Sequence, residues 1–316
     1  MCVLNLLGNT VRGTGNMGLP ATVLVGCVLA HIAISPALIF GFGPIPPLGP
    51  AGAGWGLLIP FGVGSVVMVC YLRSPRSIVR LKFRGVTPRR ELFADILKVG
   101  IPGLGNTAIT NLSVALLTGI AGQLGPESAI GYAMGARLEY ILQPVAFGFG
   151  TAIVAMVGTN WGAQQYRRAR DIAWTGAATV ALLCGTIGAG VAIHPALWID
   201  LFSDSAEVTR IGTLYLRIVG PVYLFFGLGL GLFFVTQGVG RAVAAMNANA
   251  VRMIVSASGG LVAIYGLHLG NSGFFAAVAA GFCIYAALLV RAVVISVRTP
   301  GTALEAFPRA AMRSKP

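Results

Sequence analysis

Eight apolar stretches, at residues 17–41, 50–72, 94–122, 129–156, 171–199, 207–236, 242–266 and 273–297, take up most of this chain. A transmembrane helix needs roughly 20 apolar residues to cross about 30 Å of hydrocarbon at 1.5 Å per residue, and each stretch meets that length. None alternates polar with apolar residues as a membrane barrel strand does, and lipid demands that every backbone group be satisfied within a helix or a closed barrel. Charged residues make up 10% of the 316, where a soluble domain carries about 25%. The expected fold is an all-α polytopic membrane protein of about eight transmembrane helices.

The Lys and Arg residues fall between these stretches in a regular order. Arg73 to Arg90 holds seven of them and no acid, the 157–170 segment holds Arg167, Arg168 and Arg170, and the tail from Arg298 holds four. Arg12 and Arg241 occupy two further connections. The intervening connections at 42–49, 123–128, 200–206 and 267–272 have none. Basic and non-basic segments thus alternate, as the positive-inside rule requires of eight successive crossings, with Arg210 the one exception. This places both termini and the Arg73–Arg90 block on the cytoplasmic side of the plasma (inner) membrane. Glu127, Asp200, Asp204 and Glu207 fall on the opposite side. The net charge of +13 follows from this topology, and no aromatic-studded basic surface points to nucleic acid.

Cys2, Cys27, Cys70, Cys184 and Cys283 have no CxxC spacing and read as small apolar packers rather than disulfide or metal partners. Glycine, 44 of 316 residues, is about twice its usual 7% share. Small residues let membrane helices approach closely, and Gly227-x-x-x-Gly231 is one such face. Pro36, Pro102, Pro144 and Pro221 sit inside apolar runs, where each frees a carbonyl and permits a bend. Gly13-Thr-Gly-Asn-Met-Gly18 fits a dinucleotide-binding spacing, but no strand precedes it.

An internal repeat accounts for those glycines. Arg12-Gly-Thr-Gly-Asn16 pairs with Gln237-Gly-Val-Gly-Arg241 at an offset of 225, and Leu38-Ile-Phe-Gly41 pairs with Ala263-Ile-Tyr-Gly266 at the same offset. After a loop four residues shorter, Leu48-Gly-Pro-Ala-Gly52 pairs with Leu269-Gly-Asn-Ser-Gly273. Both copies start on the cytoplasmic side, the parallel arrangement of transporters built from two equivalent bundles. The second copy has 143 residues between Ala94 and Gln237, where the first has 11 before Arg12. The expected organisation is a truncated N-terminal lobe at 1–72, a basic linker at 73–93, a six-helix C-terminal lobe at 94–298 and a cytoplasmic tail at 299–316. The absent first-lobe helices would come from an upstream extension or a partner chain.

Several motifs together resemble the multidrug and toxic compound extrusion (MATE) transporters, from their fifth helix to the end. These are Arg12-Gly-Thr-Gly-Asn16, Pro36-Ala-Leu-Ile-Phe-Gly41, Gly131-Tyr-Ala-Met-Gly-Ala-Arg137, Gly158-Thr-Asn-Trp-Gly-Ala163 with Arg167-Arg-Ala-Arg170, Tyr215-Leu-Arg-Ile-Val-Gly220 and Gln237-Gly-Val-Gly240. The resemblance implies two six-helix lobes around a cavity, exporting organic, often cationic or lipophilic compounds in exchange for H⁺ or Na⁺, with no cofactor. It also carries departures. The family's first-helix carboxylate has no counterpart, its fifth-helix Asn-x-x-x-Asp-Pro reads His31-Ile-Ala-Ile-Ser35-Pro36, and a seventh-helix carboxylate of some members falls near Thr110 and Asn111.

An ionisable group inside a bilayer is costly enough to be a functional candidate by default. Glu139 lies about 11 residues, roughly 16 Å, from the outer end of its stretch and is the one acid at mid-depth. Its expected partner is Arg137 or Arg217, as an ion pair, with a proton or cation site as the alternative. His31 and Ser35 share a helix face. A buried histidine there either takes a coupling proton or hydrogen-bonds a neighbouring helix. Asn106, Thr110 and Asn111 share an arc and, with Gln143, offer polar contacts to a substrate or to other helices. Asn111-Leu-Ser113 is a glycosylation sequon out of reach inside a span. The leading reading is a secondary antiporter for organic compounds. The others are a non-transporting truncated protein and a lipid-linked saccharide flippase. No recurring nucleophile or acid–base cluster suggests an enzyme.

Overall fold

The structure, a computed structural model, describes residues 2–41, 46–75, 77–79, 90–203 and 205–298. Most of the Arg73–Arg90 block, Asp204 and the 299–316 tail lie outside them. The described residues form helices and connecting turns with no strand: α1 (Cys2–Arg12), α2 (Gly18–Phe40), α3 (Pro50–Arg73), α4 (Arg90–Gly122), α5 (Pro126–Gly162), α6 (Tyr166–Ile193), α7 (Ala196–Ile199), α8 (Ala206–Val219), α9 (Tyr223–Gly238), α10 (Ala242–Leu261) and α11 (Gly270–Arg298). Eight helical segments among them are long and apolar enough to cross a membrane. The 207–236 stretch is not one straight helix. Pro221 lacks the amide hydrogen that would continue the ladder, and a 3₁₀ turn at Gly220–Val222 joins α8 to α9. Many large side chains, among them Leu29, Leu104, Leu182 and Ile254, are exposed. That is costly in water and expected against lipid tails.

The chain divides into two compact units, Met1–Pro88 and Arg89–Pro316. In the first, α1 turns Leu4, Leu7 and Val11 inward at helical spacing, onto Cys27 of α2 and Phe61, Met68 and Leu72 of α3. Gly56 of α3 lies against Ser35 of α2, where an added Cβ would come within 2.8 Å of the Ser35 Cα. Gly64 meets the Cys27 sulfur in the same way, so Cys27 packs as a small apolar group and donates to the Pro60 carbonyl at 3.2 Å.

In the second unit α6 and α9 run against each other through small residues. Ala169, Ala173, Ala177, Cys184 and Gly188 form one buried stripe of α6. Gly227 abuts Cys184 and the Val180 carbonyl, and Gly231 abuts Ala177, so the Gly227-x-x-x-Gly231 face is used as expected. With no hydrophobic driving force between helices in lipid, such backbone approach is a main source of helix association. Helices α5, α8 and α11 pack around this pair, and α10 joins α4 to α11.

The internal repeat reappears as backbone geometry. The Gly15 amide donates to the Arg12 carbonyl at 2.9 Å, and the Gly240 amide to the Gln237 carbonyl at 3.0 Å. Both glycines occupy the left-handed region, at φ 88° and 74°, where a side chain would be strained. At the other end of each copy, the Leu48 amide donates to the Leu38 carbonyl at 3.0 Å and the Leu269 amide to the Ala263 carbonyl at 2.9 Å. Gly49 and Gly270 follow with φ of 54° and 55°. Two segments paired by weak sequence identity therefore share both turns that bound them.

Candidate substrate and ion cavity

A cavity of about 400 Å³ opens within the second unit, among α4, α5, α9, α10 and α11. Helical periodicity selects its walls. On α4 the lining residues include Asn106, Thr110, Val114 and Leu117, spaced by three or four, with Asn111 beside Thr110; on α5 they include Tyr132, Ala136, Glu139, Gln143 and Phe147. Asn249 and Arg252 come from α10, Phe226, Leu230 and Phe233 from α9, and Val278, Phe282 and Tyr285 from α11.

Glu139 is the one carboxylate among the described residues that line the cavity. Its Oε1 accepts a 2.8 Å hydrogen bond from the Tyr215 hydroxyl of α8. Tyr215 is fully buried and stands edge-on to Tyr132 and Phe275, with ring centroids 5.5 and 5.1 Å away. This packing fixes the direction of the hydroxyl and hence of the carboxylate. Tyr223 brings a second buried hydroxyl within reach of Glu139 and Tyr215.

The expected ion pair of Glu139 with Arg137 or Arg217 does not form; among the described residues the pair is Arg210–Glu207, at 2.7 Å on an exposed surface. Helix geometry explains the failure. Residues two apart diverge by about 200° around the axis, so the rotation that points Tyr215 at Glu139 turns Arg217 outward. Arg217 sits in a shallow groove with Thr213 and Arg210 instead. Arg137, likewise two residues from Glu139, reaches over the Phe202 ring at 5.2 Å while still lining the cavity.

The cation that does act on Glu139 electrostatically is Arg252, which the charge inventory of the sequence passed over. The signal was present, because a full charge at the eleventh residue of an apolar run is as costly as the one that singled out Glu139. Arg252 is buried, donates from Nε to Asn249 Oδ1 at 2.9 Å and lies 5.4 Å from the Phe282 ring centre. Asn249 in turn donates to Asn106 Oδ1 at 3.0 Å and to Thr110 Oγ1 at 2.9 Å. Asn106 and Thr110 are therefore partly engaged in interhelical bonds, the second of the two roles expected for them. Asn111 and Gln143 line the cavity.

His31 and Ser35 lie in the first unit. The His31 Nδ1 is 2.9 Å from the Gly56 carbonyl. A carbonyl only accepts, so Nδ1 carries the proton and the ring ties α2 to α3. Of the eight residues singled out, Glu139, Asn111, Thr110, Gln143 and Arg137 line this cavity, Arg217 lines the separate groove on α8, and His31 and Ser35 belong to the first unit.

Residues 102–262 match the MatE family model, half of the chain. The chain belongs to the MatE family. It is 23% identical over 244 residues to the probable multidrug resistance protein NorM of Thermotoga maritima, covering 77% of this chain and 52% of that one. It is 24% identical over 220 residues to the probable multidrug resistance protein YoeA of Bacillus subtilis, covering 69% and 48%. The chain thus spans about half the length of these MatE relatives. Its fold is that of the Vibrio cholerae MATE transporter VcmN, with a TM-score of 0.84, 20% identity and coverage of 95% of this chain and 67% of that one. A MOP superfamily transporter from Pyrococcus furiosus superposes with a TM-score of 0.86 at 18% identity, covering 94% and 66%. An integral membrane protein of the MatE fold is the common result.

Proposed function

We propose that this chain forms the substrate-holding part of a secondary exporter of small organic compounds, in which Glu139 takes and releases the coupling H⁺ or Na⁺. The observation that carries the reading is Glu139, the one carboxylate among the described residues lining a cavity of about 400 Å³, within the usual 300–1,000 Å³ range of small-molecule sites. The relatives' names, multidrug resistance and multidrug export proteins and one FAD transporter, support the class. Its test is dye export from energised membrane vesicles containing the chain. Export that collapses when the proton or sodium gradient is dissipated is expected; export indifferent to both gradients refutes the coupling.

The orientation belongs to the same proposal, with both termini and the basic connections on the cytoplasmic face of the plasma membrane. A membrane-impermeant thiol reagent added outside intact cells is expected to label Leu201→Cys and to spare Gln165→Cys, each read against the unsubstituted chain. The opposite labelling pattern reverses the topology.

A further inference from the structure

The charge of the cavity narrows the compound class, on the reading that this cavity holds the exported compound. Its lining carries three groups that are ionised or ionisable near neutrality: Glu139, Arg137 and Arg252. Arg137 is exposed and reaches over Phe202, so the charges held inside are those of Glu139 and Arg252, which cancel with Glu139 ionised and sum to +1 with Glu139 protonated, as after proton uptake. Unlike charges attract and like charges repel far more strongly in a protein interior than in water. A cationic guest would therefore be repelled, and an anionic one attracted, once Glu139 is protonated.

Arg252 gives the positive charge a place. It is 8% exposed, yet among the described residues it forms no ion pair, and only Nε has a hydrogen-bond partner. Burying guanidinium donors without acceptors is costly, and the planar fork matches two oxygens of a carboxylate or phosphate. Phe226, Phe233 and Leu230 supply an apolar wall alongside. We propose that the cavity takes an organic anion, or a zwitterion whose anionic end is a carboxylate or phosphate on an apolar body, with Arg252 holding that end. Its entry also supplies acceptors for the Arg252 donors that have none.

The test is equilibrium binding to the purified chain in detergent, by fluorescence anisotropy, with carboxyfluorescein as the anionic probe and ethidium as the cationic one. Carboxyfluorescein is expected to bind more tightly. Arg252→Gln is expected to weaken it by about tenfold or more, the loss of one charge-assisted contact, and Arg252→Lys to restore part of it. Glu139→Gln removes the opposing negative charge and is expected to tighten it, which decides the matter if the Arg252 variants do not fold. Tighter ethidium binding, an Arg252→Gln affinity equal to the original, or an anion affinity unchanged or weakened in Glu139→Gln each overturns the proposal. Displacement by phenyl phosphate or by dioctanoyl phosphatidic acid supports it and tells a soluble anion from a lipid headgroup; failure of both overturns it. Preference for ethidium leaves the exporter reading standing, whereas binding of neither dye removes both.

Discussion

Glu139→Gln is expected to reduce gradient-driven export to the level of membranes lacking the chain, with the protein still inserted and folded. The amide has nearly the volume of the carboxyl group, and its carbonyl oxygen still accepts from the Tyr215 hydroxyl now bonded to Glu139 Oε1, so the packing of Tyr215 against Tyr132 and Phe275 persists. What the amide lacks is a proton or cation to exchange at any working pH. The comparison is export by equal amounts of inserted protein across a range of pH. Substantial export by Glu139→Gln with the original pH dependence would remove Glu139 from the coupling. His31→Ala is the matched control. Its imidazole is bound to the Gly56 carbonyl in the first unit, so its loss is expected to cost about 1 kcal/mol of stability and to leave the pH profile unchanged. A profile altered by His31→Ala and not by Glu139→Gln would exchange their roles.

Gly188→Val is expected to lose about 3 kcal/mol of stability, on the order of a 10 °C fall in melting temperature in detergent. A Cβ at 188 would run into the backbone carbonyl of Gly220 and stand 2.9 Å from the Tyr223 Cβ. Neither obstacle is the mobile end of a side chain. The carbonyl belongs to the 3₁₀ turn at Pro221, and Tyr223 is fully buried, so relief requires α6 to separate from α9. Gly190→Val serves as the control, because a Cβ there meets nothing within 4 Å. The two positions are two residues apart on one helix, with the same change in composition and propensity. A melting temperature shared by the two variants would refute close α6–α9 approach as the source of the loss.

The difference between Gly188 and Gly190 also marks how far a sequence carries in a membrane. Span number, helical class and repeat were legible because lipid permits few solutions. A run of about 20 apolar residues must be helical, and the paired turns at Gly15 and Gly240, and at Gly49 and Gly270, need glycine for a purely local reason. Glu139 was legible for the same cause, since one charge in hydrocarbon stands out whatever surrounds it. Arg252 should have been found by that rule.

Partnership was not legible. Arg137 and Arg217 were the natural counter-charges to Glu139 by depth, yet Tyr215 and Arg252 are the groups the bundle brings to it. Depth is a one-dimensional quantity, counted along the chain at 1.5 Å per residue. Which residues meet at that depth depends on how each helix is rotated about its axis, and in lipid that rotation follows the fit of surfaces such as Gly188 against Gly220 and Gly231 against Ala177. The sequence alone determined that this chain crosses a membrane as a bundle of helices with a repeat and one costly carboxylate. Only the tertiary structure decided that the carboxylate faces a cavity, with a tyrosine hydroxyl to hold it and a buried arginine nearby. The reason is that apolar side chains face lipid and helix alike, so hydrophobicity does not encode helix rotation.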